Sequence, residues 1–415
     1  MDRRVSYSIS LFIHIVFAML FRDYVDTYVF LETAEDILIF GTPFYTDTGF
    51  HALFNYFPLA FFPILIGPFL YFFLNLNNLM LQRLFLKIPF ILGDLVLAWL
   101  LYKYSGNNPH IEQLMLFNPL LIYISAIKGQ FDVLVAICVV MHWRALTQGA
   151  YLKSGFWASI AFLLKIHGGF LPFFVFVFLL PHQPKQALRM AGAALVTLVA
   201  VLLPFALIDL DGMISHAILY HVSRPPNGFS LTGMLYGAFN FLFPGSVLVN
   251  VLIFVSTGVL LWTLVYTSIE VFRLGQRKTD PHQILPFVIR FFILFFLFNK
   301  VFWLQYAIVP LAIYFLQDRN WNERQLKQAL YWSILFIPIA AIFRLIEMVP
   351  PDLRNFLGES WISILWVSFV MLHFIGLLAF LKAIEWTRRS KLLYAVFLLL
   401  LPIHYFLNLT LAPYR

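Results

Sequence analysis

Long apolar runs separated by short polar links recur from one end of the chain to the other. They approach the ~20 residues that cross a ~30 Å hydrocarbon core as a helix. They are also continuous, whereas a membrane β-barrel alternates over segments of ~10 residues. The pattern predicts an all-α integral membrane protein with thirteen spans, at 5–21, 84–104, 112–127, 132–147, 153–166, 168–181, 187–208, 246–272, 282–298, 301–316, 328–346, 360–384 and 391–411. The segment 56–74 is apolar enough to span, but it carries Pro58, Pro63, Gly67 and Pro68, residues that break helices.

Charge decides how that segment is treated. With 56–74 held to the outer surface or re-entering, and the N-terminus inside, more than half of the 28 lysines and arginines fall in inner loops. A crossing at 56–74 would reverse this bias and break the positive-inside rule. Irregular backbone at membrane depth is tolerated where protein or a wet cavity covers it. The expected topology therefore has a cytoplasmic N-terminus and collects the unusual polar residues on the outer face.

Composition sharpens the picture. The chain of 415 residues is 61% hydrophobic and 12% charged, with mean hydropathy +0.85. A soluble domain carries about 25% charged residues, so no soluble domain is expected. The net charge of +8 is scattered through short loops, which fits membrane topology and not nucleic-acid binding. Cys138 is the one cysteine and offers no disulfide within the chain. The basic start Met1-Asp2-Arg3-Arg4 leads into an apolar run without a clear cleavage site, so a retained first span is expected.

Asp23 and Asp26 stand just past that first run, in a chain with only 20 acidic residues. At i and i+3 they share a face if the segment is helical. Carboxylates there can deprotonate a hydroxyl, hold a metal, or simply solvate a helix end and complement its dipole. The tight link Lys128-Gly129-Gln130-Phe131-Asp132 adds a second outer acid. Lys165 and His167 interrupt another apolar run, and Arg224 and Lys300 lie in further outer segments. These cations suit a phosphate group, although charges at span ends also snorkel to the interface. Asp94 lies inside a span, where an ionisable group is expensive, and Lys87, seven residues away on about the same helical face, is its expected partner. Glu270 and Arg273 are expected to form a local pair. Phosphate-loop, dinucleotide and zinc-protease motifs are absent.

The order of several short motifs carries a further signal. Asp26-Thr27-Tyr28-Val29-Phe30 is followed by Gly41-Thr42-Pro43-Phe44-Tyr45 and by Asn55-Tyr56-Phe57-Pro58-Leu59. Then come Lys87-Ile88-Pro89-Phe90-Ile91-Leu92-Gly93-Asp94-Leu95, Phe117-Asn118-Pro119-Leu120, Gly129-Gln130-Phe131-Asp132, and Lys300 to Tyr306 with Gln305. Together these resemble the GT-C superfamily of membrane glycosyltransferases, most closely the GPI mannosyltransferase I group and related prokaryotic mannosyltransferases. The resemblance runs through most of the chain. Two positions depart from it: the family's first acids are separated by one residue and these by two, and Lys128 stands where an arginine is expected.

The resemblance implies one polytopic domain of GT-C type, with a motif-bearing half over 1–210 and helices over 211–415 completing the donor site. It implies inverting transfer of a hexose, as in a mannosyltransferase, from a polyprenyl or dolichyl phosphate to a glycolipid or glycan hydroxyl. Asp26 or Asp23 is then the base and Asp132 an orienting acid. Lys165, His167, Arg224 and Lys300 would face the donor phosphate, and Tyr56, Gln130 and Gln305 the substrate. Metal dependence is left open, with room for a divalent metal and no other cofactor implied, and a partner subunit is compatible. The site would lie on the extracytoplasmic or lumenal face of a prokaryotic cytoplasmic membrane or the endoplasmic reticulum. A flippase for a lipid-linked sugar is the alternative reading, opposed by polar clusters gathered at one face and not the midplane.

Overall fold

A computed structural model describes residues 2–21, 26–46, 53–228 and 246–318 continuously, with isolated positions between 230 and 236 and between 321 and 333. Asp23 and the expected spans 360–384 and 391–411 lie outside the described residues, as does nearly all of 328–346. The described chain is helical apart from one two-residue parallel pairing, β1 (Asn227–Gly228) with β2 (Val301–Phe302). Six helical stretches are long and apolar enough to cross a membrane: Arg3–Leu20, Leu79–Tyr104, Pro109–Lys128, Pro184–Leu219, Asn250–Gln276 and Pro281–Phe298. The most apolar window, within Pro184–Leu219, has none of its residues buried inside the protein. Such a surface belongs against lipid.

Two compact units emerge. The first comprises 1–224, 268–288 and 305–321; the second comprises 225–267, 289–304 and 322–415. In the first, α1 (Arg3–Leu20), α2 (Asp26–Leu38), α3 (Phe61–Phe73) and α4 (Leu79–Tyr104) are followed by α5 (Pro109–Leu116), α6 (Pro119–Leu121) and a π-helical stretch, Ile122–Lys128. Then come α7 (Asp132–Thr147), α8 (Tyr151–Leu164), α9 (Phe170–Leu179), α10 (Pro184–Ile214) and α11 (Tyr220–Ser223). The chain continues through α12 (Val247–Gln276) and α13 (Leu285–Phe298), both of which run across the unit boundary, and ends its described helices with α14 (Ile308–Phe315). Every residue of α14 is buried, against α7. In the second unit Ser230 Oγ donates to the carbonyl of Lys300, and Thr232 Oγ1 to that of Phe298.

Local sequence sets the helix starts. Asn108-Pro109 and Asn118-Pro119 each place an amide side chain at the N-cap and a proline at the first helical position. The asparagine Oδ1 accepts orphan backbone N–H groups, and proline has none to satisfy. The expected irregular segment 56–74 is largely helical: a 3-10 turn over Pro58–Ala60 leads into α3. Pro58 opens that turn and Pro63 falls in the first turn of α3, where no intrahelical N–H bond is due, so neither breaks the helix. Gly67 then lets α3 lie on α4, because a β-carbon there would sit 1.8 Å from the Phe85 carbonyl oxygen. Close backbone approach through small residues is how helices associate without a hydrophobic driving force.

The contacts also fix which ends lie together. Arg3, at the start of α1, sits over the Tyr102 ring near the end of α4 and bonds Glu112 in α5. At the other end of α1 the carbonyls of Ala18 and Phe21 meet Lys87 in the first half of α4, with that of Ile127 beside them. So α1 and α4 are antiparallel, and the chain between them leaves and returns at the same end of the bundle. Trp143 in α7 bonds Tyr104 at the Arg3 end, while Asp132 at the start of α7 bonds Lys165 just past α8. Among the described helices, α1, α4, the stretch 109–128, α7 and α8 thus alternate in direction.

Candidate active site

The end opposite Arg3 gathers the polar residues. Lys128 ends the π-helical stretch and Gly129 follows in the left-handed conformation, φ +73°, which favours glycine. The chain turns sharply and starts α7 at Asp132, so Lys128, Gln130 and Asp132 come from one tight link. α8 stops at Leu164, and Lys165 adopts an extended backbone before a 3-10 turn, Ile166–Gly169. That break directs Lys165 and His167 toward the same link.

Asp132 is fully buried. Its Oδ2 accepts a 2.5 Å hydrogen bond from Lys165 Nζ, which also donates to Gln130 Oε1 at 3.1 Å. The ammonium is ringed by aromatic faces, with centroids at 4.5 Å for Phe131, 5.3 Å for Tyr56 and 5.6 Å for Tyr306. Burial removes water from both charges, so they depend on each other and on these rings. Lys165, expected as a phosphate ligand, thus has its strongest partner within the chain.

Three polar atoms beside this pair have no hydrogen-bond partner: Asp132 Oδ1, His167 Nε2 and Gln130 Nε2. His167 Nε2 and Asp132 Oδ1 face each other across 3.7 Å, too far for a direct bond. A buried polar group left unpaired costs about 1–3 kcal/mol. The arrangement offers two nitrogens and one carboxylate oxygen to a hydroxyl or a water. The Tyr306 ring packs 4.8 Å from His167 and closes one side.

Asp26, the first residue of α2, forms the outer layer. Its Oδ2 lies 3.1 Å from Lys128 Nζ, and its side chain is 26% exposed against none for Asp132. Lys128 Nζ also reaches Gln305 Oε1 at 3.5 Å, at the outer limit for a hydrogen bond. Asp26, Asp132 and Arg224 all lie within electrostatic reach of Tyr56 and Tyr306. Tyr56 is anchored by the Phe54 and Phe131 rings at 5.2 and 5.0 Å.

The structure therefore brings together Asp26, Asp132, Lys165, His167, Tyr56, Gln130 and Gln305, with Arg224 within electrostatic range. Lys300 belongs to the second unit and Asp23 is not described. Among the described residues no group of three or more His, Cys, Asp or Glu side chains could hold a metal ion. Each described acid of the cluster faces a lysine, Asp26 with Lys128 and Asp132 with Lys165, and that donor set does not fit a divalent cation. Lys128 and Tyr306 were carried in the motifs without an assigned role; their neighbours Gln130 and Gln305 were the signal.

Asp94 does not pair with Lys87. It accepts from Ser125 Oγ at 3.0 Å and faces His14 Nε2 at 3.1 Å, all three side chains being buried. His14 was invisible as a partner because only the packing of α1 on α4 brings residues 14 and 94 together. Glu270 and Arg273 do pair, at 2.7 Å.

No known family model matches the chain, and no curated protein does either.

Proposed function

We propose that the protein transfers a hexose, with mannose the first candidate, from a polyprenyl- or dolichyl-phosphate carrier to a hydroxyl of a glycolipid or glycan, with inversion. The observation that carries this reading is the two-layered pairing of acids and lysines at one end of the bundle. The outer acid, Asp26, is partly exposed and held by Lys128; the inner acid, Asp132, is buried and held by Lys165. Asp26 is the base in this reading. Asp132, His167 and Gln130 offer unpaired polar atoms to substrate hydroxyls, and Tyr56 and Tyr306 supply aromatic walls.

In the proposed step Asp26 takes the proton of the acceptor O–H as its oxygen attacks the anomeric carbon. The bond from that carbon to the phosphate oxygen breaks, and its electron pair leaves with the lipid phosphate. Attack opposite the leaving group inverts the centre. Phosphate leaves without protonation, so one general base suffices. Lys128, paired with Asp26, and Arg224, within electrostatic reach of Tyr56 and Tyr306, are the candidate cations for the developing phosphate charge. A lipid-borne donor requires the site to open at the interface, which a site at one end of the helical bundle would allow.

The test uses the purified protein in proteoliposomes with polyprenyl-phosphate-mannose and a panel of glycolipid acceptors. Removing a general base costs about 10²–10⁴-fold in rate, and Asp26→Asn is expected to lose transfer on that scale. Asp23→Asn is run beside it. Undiminished transfer in Asp26→Asn rejects the assignment of the base, and no transfer by the wild type from any donor tried rejects the activity.

A further inference from the structure

Lys87 is a fully buried lysine one-third of the way along α4. A lysine at that position ordinarily snorkels toward water, because an ammonium inside a membrane bundle is costly. This one turns inward. Its Nζ donates to three backbone carbonyls: Phe21 at 2.7 Å, Ile127 at 2.9 Å and Ala18 at 3.3 Å. Ala18 and Phe21 close α1, whose last carbonyls lack intrahelical donors and carry the negative end of the helix dipole. Ile127 immediately precedes Lys128. Gly129 packs against the lysine stem, and a β-carbon there would lie 3.2 Å from Lys87 Cγ.

We infer that Lys87 is a positioning residue that ties the end of α1 and the 127–132 link to one point, and so sets the spacing of Asp26 and Lys128. This rests on the glycosyl-transfer reading for its consequence, but the clamp itself is a matter of geometry. Asp26 lies five residues beyond Phe21, and Lys128 directly follows Ile127. One ammonium thus holds both chain segments that deliver the outer ion pair, whose atoms are 3.1 Å apart. A lysine kept only to fill space would be replaced by methionine, of similar length, without moving either segment. A misplacement of 1 Å at a reacting centre costs about 10²-fold in rate.

The clamp is tested without substrate. Cysteines replace Asp26 and Lys128 in a Cys138→Ala background, and a short bifunctional thiol reagent joins them. With Lys87 present the cross-link forms rapidly. In Lys87→Met its rate is expected to fall at least tenfold while the protein stays monodisperse in detergent. An unchanged cross-linking rate in Lys87→Met overturns the proposal. Should Lys87→Met fail to fold, Lys87→Gln, which keeps a shorter donor, is expected to give an intermediate rate; an unchanged rate there overturns it equally. In the chain with Asp26 and Lys128 intact, Lys87→Met is expected to lower kcat for mannosyl transfer about 10²-fold with donor KM unchanged, and Lys87→Arg to recover part of it. A fall in KM-limited rate alone, with kcat retained, counts against positioning. A wild type without transfer rejects the activity, and the cross-link still decides the clamp.

Discussion

A buried carboxylate needs its counter-charge more than an exposed one does, and that asymmetry separates the two acid–lysine pairs. Asp132 and Lys165 lie almost wholly out of solvent, with side-chain exposures of 0% and 4%, so neither charge has water to fall back on. Removing one partner of such a pair costs about 3–5 kcal/mol, whereas replacing both by apolar residues is often close to neutral. Lys165→Met is therefore expected to destabilise the protein by about 3–5 kcal/mol. The double variant Lys165→Met/Asp132→Leu is expected to recover most of that loss and still fail in transfer. Denaturant titration in detergent, run as a double-mutant cycle, reads the coupling; additive effects of the two substitutions would show that the pair is not acting as one. The outer pair behaves differently. Asp26 and Lys128 retain some exposure, at 26% and 11%, so their separation should cost stability less and activity more.

Among the elements, two helical glycines make opposite demands. At Gly67 an added β-carbon would collide with backbone, the Phe85 carbonyl, which cannot rotate away; at Gly192 in α10 it would meet nothing within 4 Å. Gly67→Ala is expected to force α3 off α4 and lower stability by about 1–3 kcal/mol. Gly192→Ala is expected to raise it by about 0.5–1 kcal/mol, since alanine is the better helix former. Melting temperatures in one detergent compare them, and a neutral Gly67→Ala would mean that the two helices do not touch there. This contrast marks how far the sequence could be read. The break at Lys165 is local chemistry, legible from neighbouring residues, whereas the helix start at Asn118-Pro119 falls inside an expected span, 112–127. The polar residues of the link 128–132 were legible too, because charge is rare in this chain. What the sequence could not reveal was pairing across helices: Asp94 with His14, Lys87 with three carbonyls, Lys165 with Asp132. Each depends on helix rotation and register. The prolines of 56–74 misled for a related reason: Pro58 and Pro63 fall in first turns, where proline is tolerated, and α3 runs on through Pro68 in its interior.

At the scale of the whole molecule, the proposal depends on which face of the membrane the polar end meets. α4 has 26 residues, about 39 Å of helix at 1.5 Å per residue, and so exceeds a ~30 Å core at both ends. Asn77 lies exposed in the link before α4, His110 is exposed in the first turn of α5, and Gln148 follows α7 at the Arg3 end. The topology expected from the charge distribution would put Asn77 outside and the other two in the cytoplasm. Single cysteines at these positions, in the Cys138→Ala background, are expected to react with a membrane-impermeant thiol reagent accordingly: Asn77→Cys from outside, His110→Cys and Gln148→Cys only after the membrane is opened. The reverse pattern would turn Asp26, Asp132 and their lysines to the cytoplasm. A carrier-linked sugar displayed on the outer leaflet could not then reach Asp26, and an activity using a cytoplasmic-leaflet donor would have to replace the one proposed. Labelling of all three positions from the outside would instead mean that α4 does not cross.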